Sequence, residues 1–368
     1  MKKVLFVATI TKHITTFHLP YLKMFKEHGY EVHVATDDDA QIPYCDVHHK
    51  ISIRRNPFKI DNLKAIKQLK KIINEEKFDI VHCHTPMGSV VARLAAKEAR
   101  KNGTRVIYTA HGFHFYKGAP LVNWLMFYPV EWYLAKYTDT LITINKEDFN
   151  RAKKKFEKRC KDIQYVPGVG LETKKFDITM TEEEKMKYRE SLGLKKDDFV
   201  LICVARLDKN KNQRFLIKCM RDLVNKHQDI HLILAGKDEL NGKYQKMAEK
   251  MNVANNVHFL GNRNDVSRLL MISSIAVSVS LREGLGMNLI EALYSNKTVI
   301  ASNNRGHRDI IINDYNGYLI ENNDFEEKIE YLYDKRDRLM ELSMVGKKSV
   351  NIFCVNNVLD NMENIYFG

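Results

Sequence analysis

The chain has 368 residues, 44% of them hydrophobic and 29% charged, the balance of a soluble globular protein too long for one ordinary core. No stretch reaches the ~18 uncharged apolar residues of a membrane span. The net charge of +13 is unevenly placed: residues 1–170 carry 29 Lys and Arg against 17 Asp and Glu, and residues 171–368 carry 30 against 29. A basic first half with no recognised nucleic-acid motif argues against nucleic acid and for an anionic membrane surface as partner.

In chain order, Met1-Lys2-Lys3 and the apolar run Val4 to Ala8 come first. That run is too short for a signal peptide and is followed by Lys12, His13 and His18, so it predicts a first buried strand in a protein that stays cytoplasmic. Strand patterns recur at 31–35, 80–82, 105–109 and 140–144, with helical patterns such as 19–28 and 62–76 between them. Val166-Pro167-Gly168-Val169-Gly170 breaks the alternation, and a charged helical stretch follows at 182–190. A second alternation places strands at 199–204, 230–235, 257–260, 275–279, 298–301 and 317–320. Buried runs of Val, Ile and Leu separated by helices predict parallel sheets covered on both faces. The expected class is α/β: two doubly wound, Rossmann-like units, 1–170 and 171–345, facing each other across a cleft, with a last helix, 346–368, crossing back to the first. Ligands of such sheets bind beyond the carboxyl ends of the strands. The six cysteines (Cys45, Cys83, Cys160, Cys203, Cys219 and Cys354) contain no Cys-x-x-Cys pair and read as reduced core thiols.

Chemistry concentrates in the run Ser280 to Glu291, where Glu283 and Glu291 flank Gly284-Leu285-Gly286 between a strand pattern and a helical one. Free amides at such a helix start suit an anion such as a diphosphate, and carboxylates accept hydrogen bonds from paired hydroxyls. The composite suits a nucleotide-sugar. Upstream, Val204-Ala205-Arg206-Leu207-Asp208-Lys209-Asn210-Lys211-Asn212 also lies where a strand ends, and Arg206 and Lys211 would clamp a diphosphate. His82, His84, His111 and His114 could gather at strand ends around a metal, but no Cys or carboxylate motif completes a site. Asp37-Asp38-Asp39 reads as a solvated loop. No cofactor or metal is expected. The aromatics Trp124, Phe127, Tyr128, Trp132 and Tyr133, with lysine-rich segments at 64–77 and 151–161, suit an interfacial protein attached to the inner face of the cell membrane.

The glutamate pair resembles the Glu-x7-Glu signature of retaining glycosyltransferases of family 4, and Arg206 to Lys211 resembles that family's diphosphate site. Thr109 to Gly118, Asp79 to Pro86 and Asn303-Arg305-Gly306-His307-Arg308 extend the likeness over most of the chain, closest to bacterial exopolysaccharide and capsule enzymes of the EpsD type. The resemblance implies a GT-B fold and sugar transfer with retention from a nucleotide donor. UDP-N-acetylhexosamine or UDP-hexose is the expected donor and a polyprenyl-diphosphate-linked glycan the acceptor. It implies that Glu283 contacts donor-sugar hydroxyls, Glu291 holds the ribose, and amides of Gly284, Leu285, Gly286, Met287, Asn288 and Leu289 meet the sugar and diphosphate. It further implies that His111 stands beside the reacting centre, that Leu260 and Arg263 lie along the base, with a plain surface arginine the equal alternative for Arg263, and that Arg206 and Lys211 stabilise the departing phosphate, which accepts the acceptor's proton. Asn212 stands where many relatives have Gly, and the first loop has Thr11, Lys12, His13 and His18 in place of a Gly-Gly pair at the acceptor. Two competing readings are an isomerase like the UDP-sugar 2-epimerases and a non-catalytic partner subunit of a glycosyltransferase.

Overall fold

The computed structural model describes residues 1–321 and 324–368. Its strands, in chain order, are β1 Lys3–Val7, β2 Glu31–Thr36, β3 Val47–Lys50, β4 Ile80–Cys83, β5 Arg105–Ala110, β6 Thr140–Thr143, β7 Asp162–Tyr165, β8 Phe199–Val204, β9 Ile230–Ala235, β10 Val257–Gly261, β11 Ile275–Ser278, β12 Thr298–Ser302 and β13 Gly317–Ile320. They form two sheets, ordered β3-β2-β1-β4-β5-β6-β7 and β10-β9-β8-β11-β12-β13, and all the pairings between them are parallel. One compact unit comprises Met1–Gly170 with Val355–Gly368, and the other Leu171–Cys354. In each sheet the strand order reverses once, between β1 and β4 and between β8 and β11. Loops leaving the carboxyl ends of adjacent strands diverge there and open a crevice.

The two strands that the sequence pattern misses, β3 and β7, are sheet edges. Val47-His48-His49-Lys50 is half-exposed and Asp162-Ile163-Gln164-Tyr165 buries only Ile163, so neither shows the apolar run of a central parallel strand. The chain's end also differs from expectation. In place of one helix over 346–368 there are helices Gly346–Ser349 and Val355–Phe367, with a 3-10 turn at Asn351–Phe353 between them. Return to the first unit therefore begins at Val355, not at 346. A Cβ on Gly346 would lie 2.7 Å from the Leu293 carbonyl oxygen, a close approach that keeps this segment with the second unit. Val358, Met362 and Tyr366 then bury one face of the last helix, and the Tyr366 hydroxyl lies 2.7 Å from His82 Nδ1. All six cysteines are free thiols.

The Leu121–Ala135 helix sorts its aromatics differently from the sequence reading. Trp124, Phe127 and Tyr128 pack against the first unit's core, so they are not surface anchors. Exposure falls instead on Leu121, Val122, Leu125, Met126, Val130, Trp132 and Tyr133, an apolar stripe at helical spacing. Arg159 lies over the Trp132 ring and Lys136 over Tyr133. The inner face is fixed by Glu131, which pairs at 2.9 Å with Arg93, a guanidinium only 1% exposed that also stacks on Tyr108. No helix among the described residues is long and apolar enough to cross a membrane. Removing one partner of a buried pair strands the other charge, so Glu131→Ala should cost about 3–5 kcal/mol in urea unfolding.

Candidate active site

In the second unit, the site grows from the reversal point between β8 and β11. After β8 the chain turns through Asp208, whose carboxylate accepts the Lys211 amide at 2.8 Å, and enters the Gln213–Lys226 helix through Asn212. Asn212 has φ +56°, the left-handed region that glycine enters freely and asparagine tolerates. That geometry explains why Asn can stand here in place of Gly. Asn210 donates from its side chain to the Arg282 carbonyl at 3.0 Å and accepts the Leu281 amide at 2.8 Å, lacing this loop to the one after β11. Lys211 Nζ then lies 2.5 Å from Glu283 Oε1, with both side chains largely buried. Arg206 stays exposed, its nearest carboxylates Asp208 and Glu239 each 3.5 Å away. The two cations therefore differ: Lys211 is held in a largely buried pair with Glu283, whereas Arg206 is exposed and makes only longer contacts with Asp208 and Glu239.

Glu283 is held from behind as well. A Cβ on Gly306 would come within 2.9 Å of the Glu283 Cβ, and Arg305 donates from Nε to the Glu283 carbonyl at 3.2 Å. Gly306 and His307 donate their amides to Asn304 Oδ1, and His307 Nδ1 lies 2.8 Å from the Ser302 carbonyl, to which it donates. His307 also meets Gly286: a Cβ there would lie 3.0 Å from its ring. Burial holds the His307 pKa down at about 4, so the ring is neutral. This backing by Asn304, Arg305, Gly306 and His307 was missing from the sequence-derived site, because a steric role leaves no charge pattern.

The Met287–Tyr294 helix starts at Gly286 with no side-chain cap and no acid in its first turn. Met287 and Leu289 return their amides to Leu285 and Gly286, whereas Gly284, Leu285, Gly286 and Asn288 have no intrachain acceptor for theirs among the described residues. Unspent amides at a helix start attract an anion. One turn on, burial raises the Glu291 pKa to about 7, opposed by Lys175. Arg263 is committed to Asp265, at 2.8 and 2.6 Å, and to the Tyr188 hydroxyl; Leu260 lies on the edge strand β10.

In the first unit the corresponding reversal point gathers histidines. His13 lies in the short Thr11–Phe17 helix after β1 and His18 ends that helix, while His84 follows β4 and His111 follows β5. Thr85, next to His84, has φ +60° and ψ 151°, a region sparsely populated outside glycine. Its hydroxyl lies 2.8 Å from Thr9, and a Cβ on Gly88 would lie 3.1 Å from Ala8 Cα, so the His84 loop is pressed against the end of β1. Burial lowers the His13 pKa to about 4 and holds His18, His84 and His111 well below the ordinary value. His82 and His114, which the sequence groups with His84 and His111, go elsewhere: His82 to Thr109 and Tyr366, His114 against Phe127. Thr11 is buried and bonded to Thr36 and Asp38, while Lys12 is exposed. The Asp37-Asp38-Asp39 loop is ion-paired rather than simply solvated, with Asp37 on Arg54 and Asp39 on Lys50.

Two family models cover most of the chain: glycosyl transferase 4-like over residues 3–145 and glycosyl transferases group 1 over residues 184–349. EpsD of Bacillus subtilis strain 168, a protein assigned as a glycosyltransferase, is 44% identical over 99% of this chain and 96% of its own length. The Escherichia coli UDP-Gal:alpha-D-GlcNAc-diphosphoundecaprenol alpha-1,3-galactosyltransferase is 29% identical over 85% of this chain and 81% of its own. Among solved structures, HepE of Anabaena in complex with UDP and glucose superposes with a TM-score of 0.79 at 18% identity, covering 99% of both chains. The two parallel sheets match the GT-B fold of such enzymes. With both halves matched and a full-length relative at this identity, the chain belongs to the group 1, family 4-like glycosyltransferases of the EpsD type.

Proposed function

We propose that the protein transfers a sugar, with retention at the anomeric carbon, from a UDP-sugar to a polyprenyl-diphosphate-linked acceptor in exopolysaccharide or capsule assembly. The Lys211–Glu283 pair beside the uncapped helix start at Gly286 carries this reading. The unspent amides and Lys211 receive the diphosphate, Arg206 swings in to it, Glu283 accepts from the donor-sugar hydroxyls and Glu291 from the ribose. The departing phosphate oxygen takes the acceptor's proton, with Arg206 and Lys211 stabilising its charge; the step needs no metal. UDP bound by HepE and the UDP-galactose and lipid-diphosphate substrates named for the Escherichia coli relative support the donor and acceptor classes. The acceptor is assigned to the first unit, with Lys12 and His13 at its mouth and His111 beside the reacting centre; His18, only 1% exposed, lies behind them and does not reach an acceptor as the sequence suggested.

Charge-assisted contacts contribute about 1.5–3 kcal/mol. Lys211→Ala should therefore weaken UDP binding by roughly 10- to 100-fold in calorimetry and slow transfer to a lipid-diphosphate-linked sugar. Wild-type UDP affinity in this variant contradicts the diphosphate assignment.

Glu291 adds a pH signature. The folded carboxyl keeps its proton to about pH 7, whereas an unfolded glutamate releases it near the usual ~4.3. Native protein thus binds the extra proton in that window, and stability falls as pH rises through it. Glu291→Gln should be more stable than wild type at pH 8 by at most about 4 kcal/mol, with the gap closing towards pH 5 in urea unfolding. The same variant should bind UDP more weakly, because an amide accepts fewer hydroxyl hydrogen bonds than a carboxylate.

The exposed stripe Leu121, Val122, Leu125 and Met126, with Arg159 and Lys136 beside the same helix, supports docking on an anionic membrane surface from the cytoplasmic side. Replacing Leu125 and Met126 together by Glu should abolish sedimentation with phosphatidylglycerol vesicles while leaving UDP binding intact. Unchanged sedimentation removes this helix as the contact.

A further inference from the structure

Four histidines of the first unit converge more tightly than acceptor binding requires. His13 Nε2 lies 3.2 Å from His18 Nε2 and 3.3 Å from His111 Nε2, and His111 Nε2 lies 3.4 Å from His84 Nδ1. One nitrogen from each of the four is within 4.8 Å of every other. Nitrogens placed tetrahedrally at the zinc distance of ~2.0–2.1 Å would be about 3.3–3.4 Å apart, close to the spacing of these three pairs out of the six.

Hydrogen bonding alone does not account for the cluster. A neutral imidazole nitrogen either donates one proton or offers one lone pair, yet His13 Nε2 and His111 Nε2 each face two neighbours. No set of tautomers satisfies every contact well, and His18 Nδ1 and His84 Nε2 are buried with no partner at all. Burial keeps all four rings neutral, the form that ligates metals. The backbone around them is fixed: His84 precedes the strained Thr85, and His18 stacks on His84 at 3.8 Å between ring centres.

We propose that His13, His18, His84 and His111 form a tetrahedral, all-nitrogen binding site for a divalent transition-metal ion of the Zn2+ class. The ion ties the loop after β1 to the ends of β4 and β5 and fixes the first loop where this family member lacks a Gly-Gly pair. It is a site of the first unit, does not rest on the donor reading, and leaves the transfer step itself metal-free. A second group, Glu31, His33 and Glu76, supplies a control. There the Lys3 ammonium, 2.6 Å from Glu76 and 3.7 Å from Glu31, already serves as the cation.

The test uses tag-free, full-length protein stripped with EDTA and then titrated with Zn2+. Wild type should bind one equivalent per chain. His13→Ala, which changes a half-buried ring, should weaken binding at least about tenfold, with folding checked by far-UV circular dichroism. His33→Ala should bind as wild type does. Independently of any variant, Co2+ in the wild-type protein should give the intense visible absorption of four-coordinate geometry. Failure of wild type to bind Zn2+, unchanged affinity in folded His13→Ala, or a weak six-coordinate Co2+ spectrum would overturn the proposal.

Discussion

The Lys211–Glu283 ion pair joins the loop after β8 to the loop after β11 across the point where the second sheet reverses its strand order. Much of the site depends on it. Glu283 can reach Lys211 because Gly306 has no side chain to push it away, and Gly306 is placed by the Asn304 side chain that caps its short helix. Lys211 is aimed by the left-handed Asn212 that follows it and by Asp208, which accepts its amide. The helix start at Gly286 stays uncapped beside this pair, and its ring neighbour His307 is neutral. An anion arriving there meets a cation already oriented by a carboxylate, so little reorganisation accompanies binding.

The same logic of a reversal point organises the first unit, with different chemistry. Here the convergent groups are neutral imidazoles rather than an ion pair: His18 and His84 are buried, His13 and His111 are half-buried, and no carboxylate belongs to the cluster. The two reversal points thus present different side chains: an ion pair beside a helix start in one unit, neutral imidazoles in the other. The exposed apolar stripe of the Leu121–Ala135 helix and the excess of basic residues lie on the same unit.

The central strands were legible in the sequence because each is a largely buried, apolar run, and β8 and β9 fall on the expected residues; the edge strands β10 and β13 were legible too, because they keep apolar residues such as Phe259, Leu260, Leu319 and Ile320. Edge strands β3 and β7 were not, since one neighbour and partial exposure leave no apolar signature. Charged site residues such as Glu283 and Lys211 announce themselves by type and spacing. The support from Gly306 and His307 does not, because it acts through shape. For the histidines, the sequence supplied the right element type but the wrong grouping: His82 and His114 sit near their partners in the chain, whereas His13 and His18 join His84 and His111 only through the β1-β4-β5 order. Likewise the membrane-facing reading took Trp124, Phe127 and Tyr128 by residue type, and the helix turned them inward.

Hydrogen–deuterium exchange with and without UDP tests the central claim most directly, because it reads individual backbone segments without altering any of them. The account predicts protection concentrated in Glu283 to Glu291, where the unspent amides lie, with a second protected segment at Arg206 to Asn212. Protection confined to other segments, or none at saturating UDP, would contradict the assignment of the donor site.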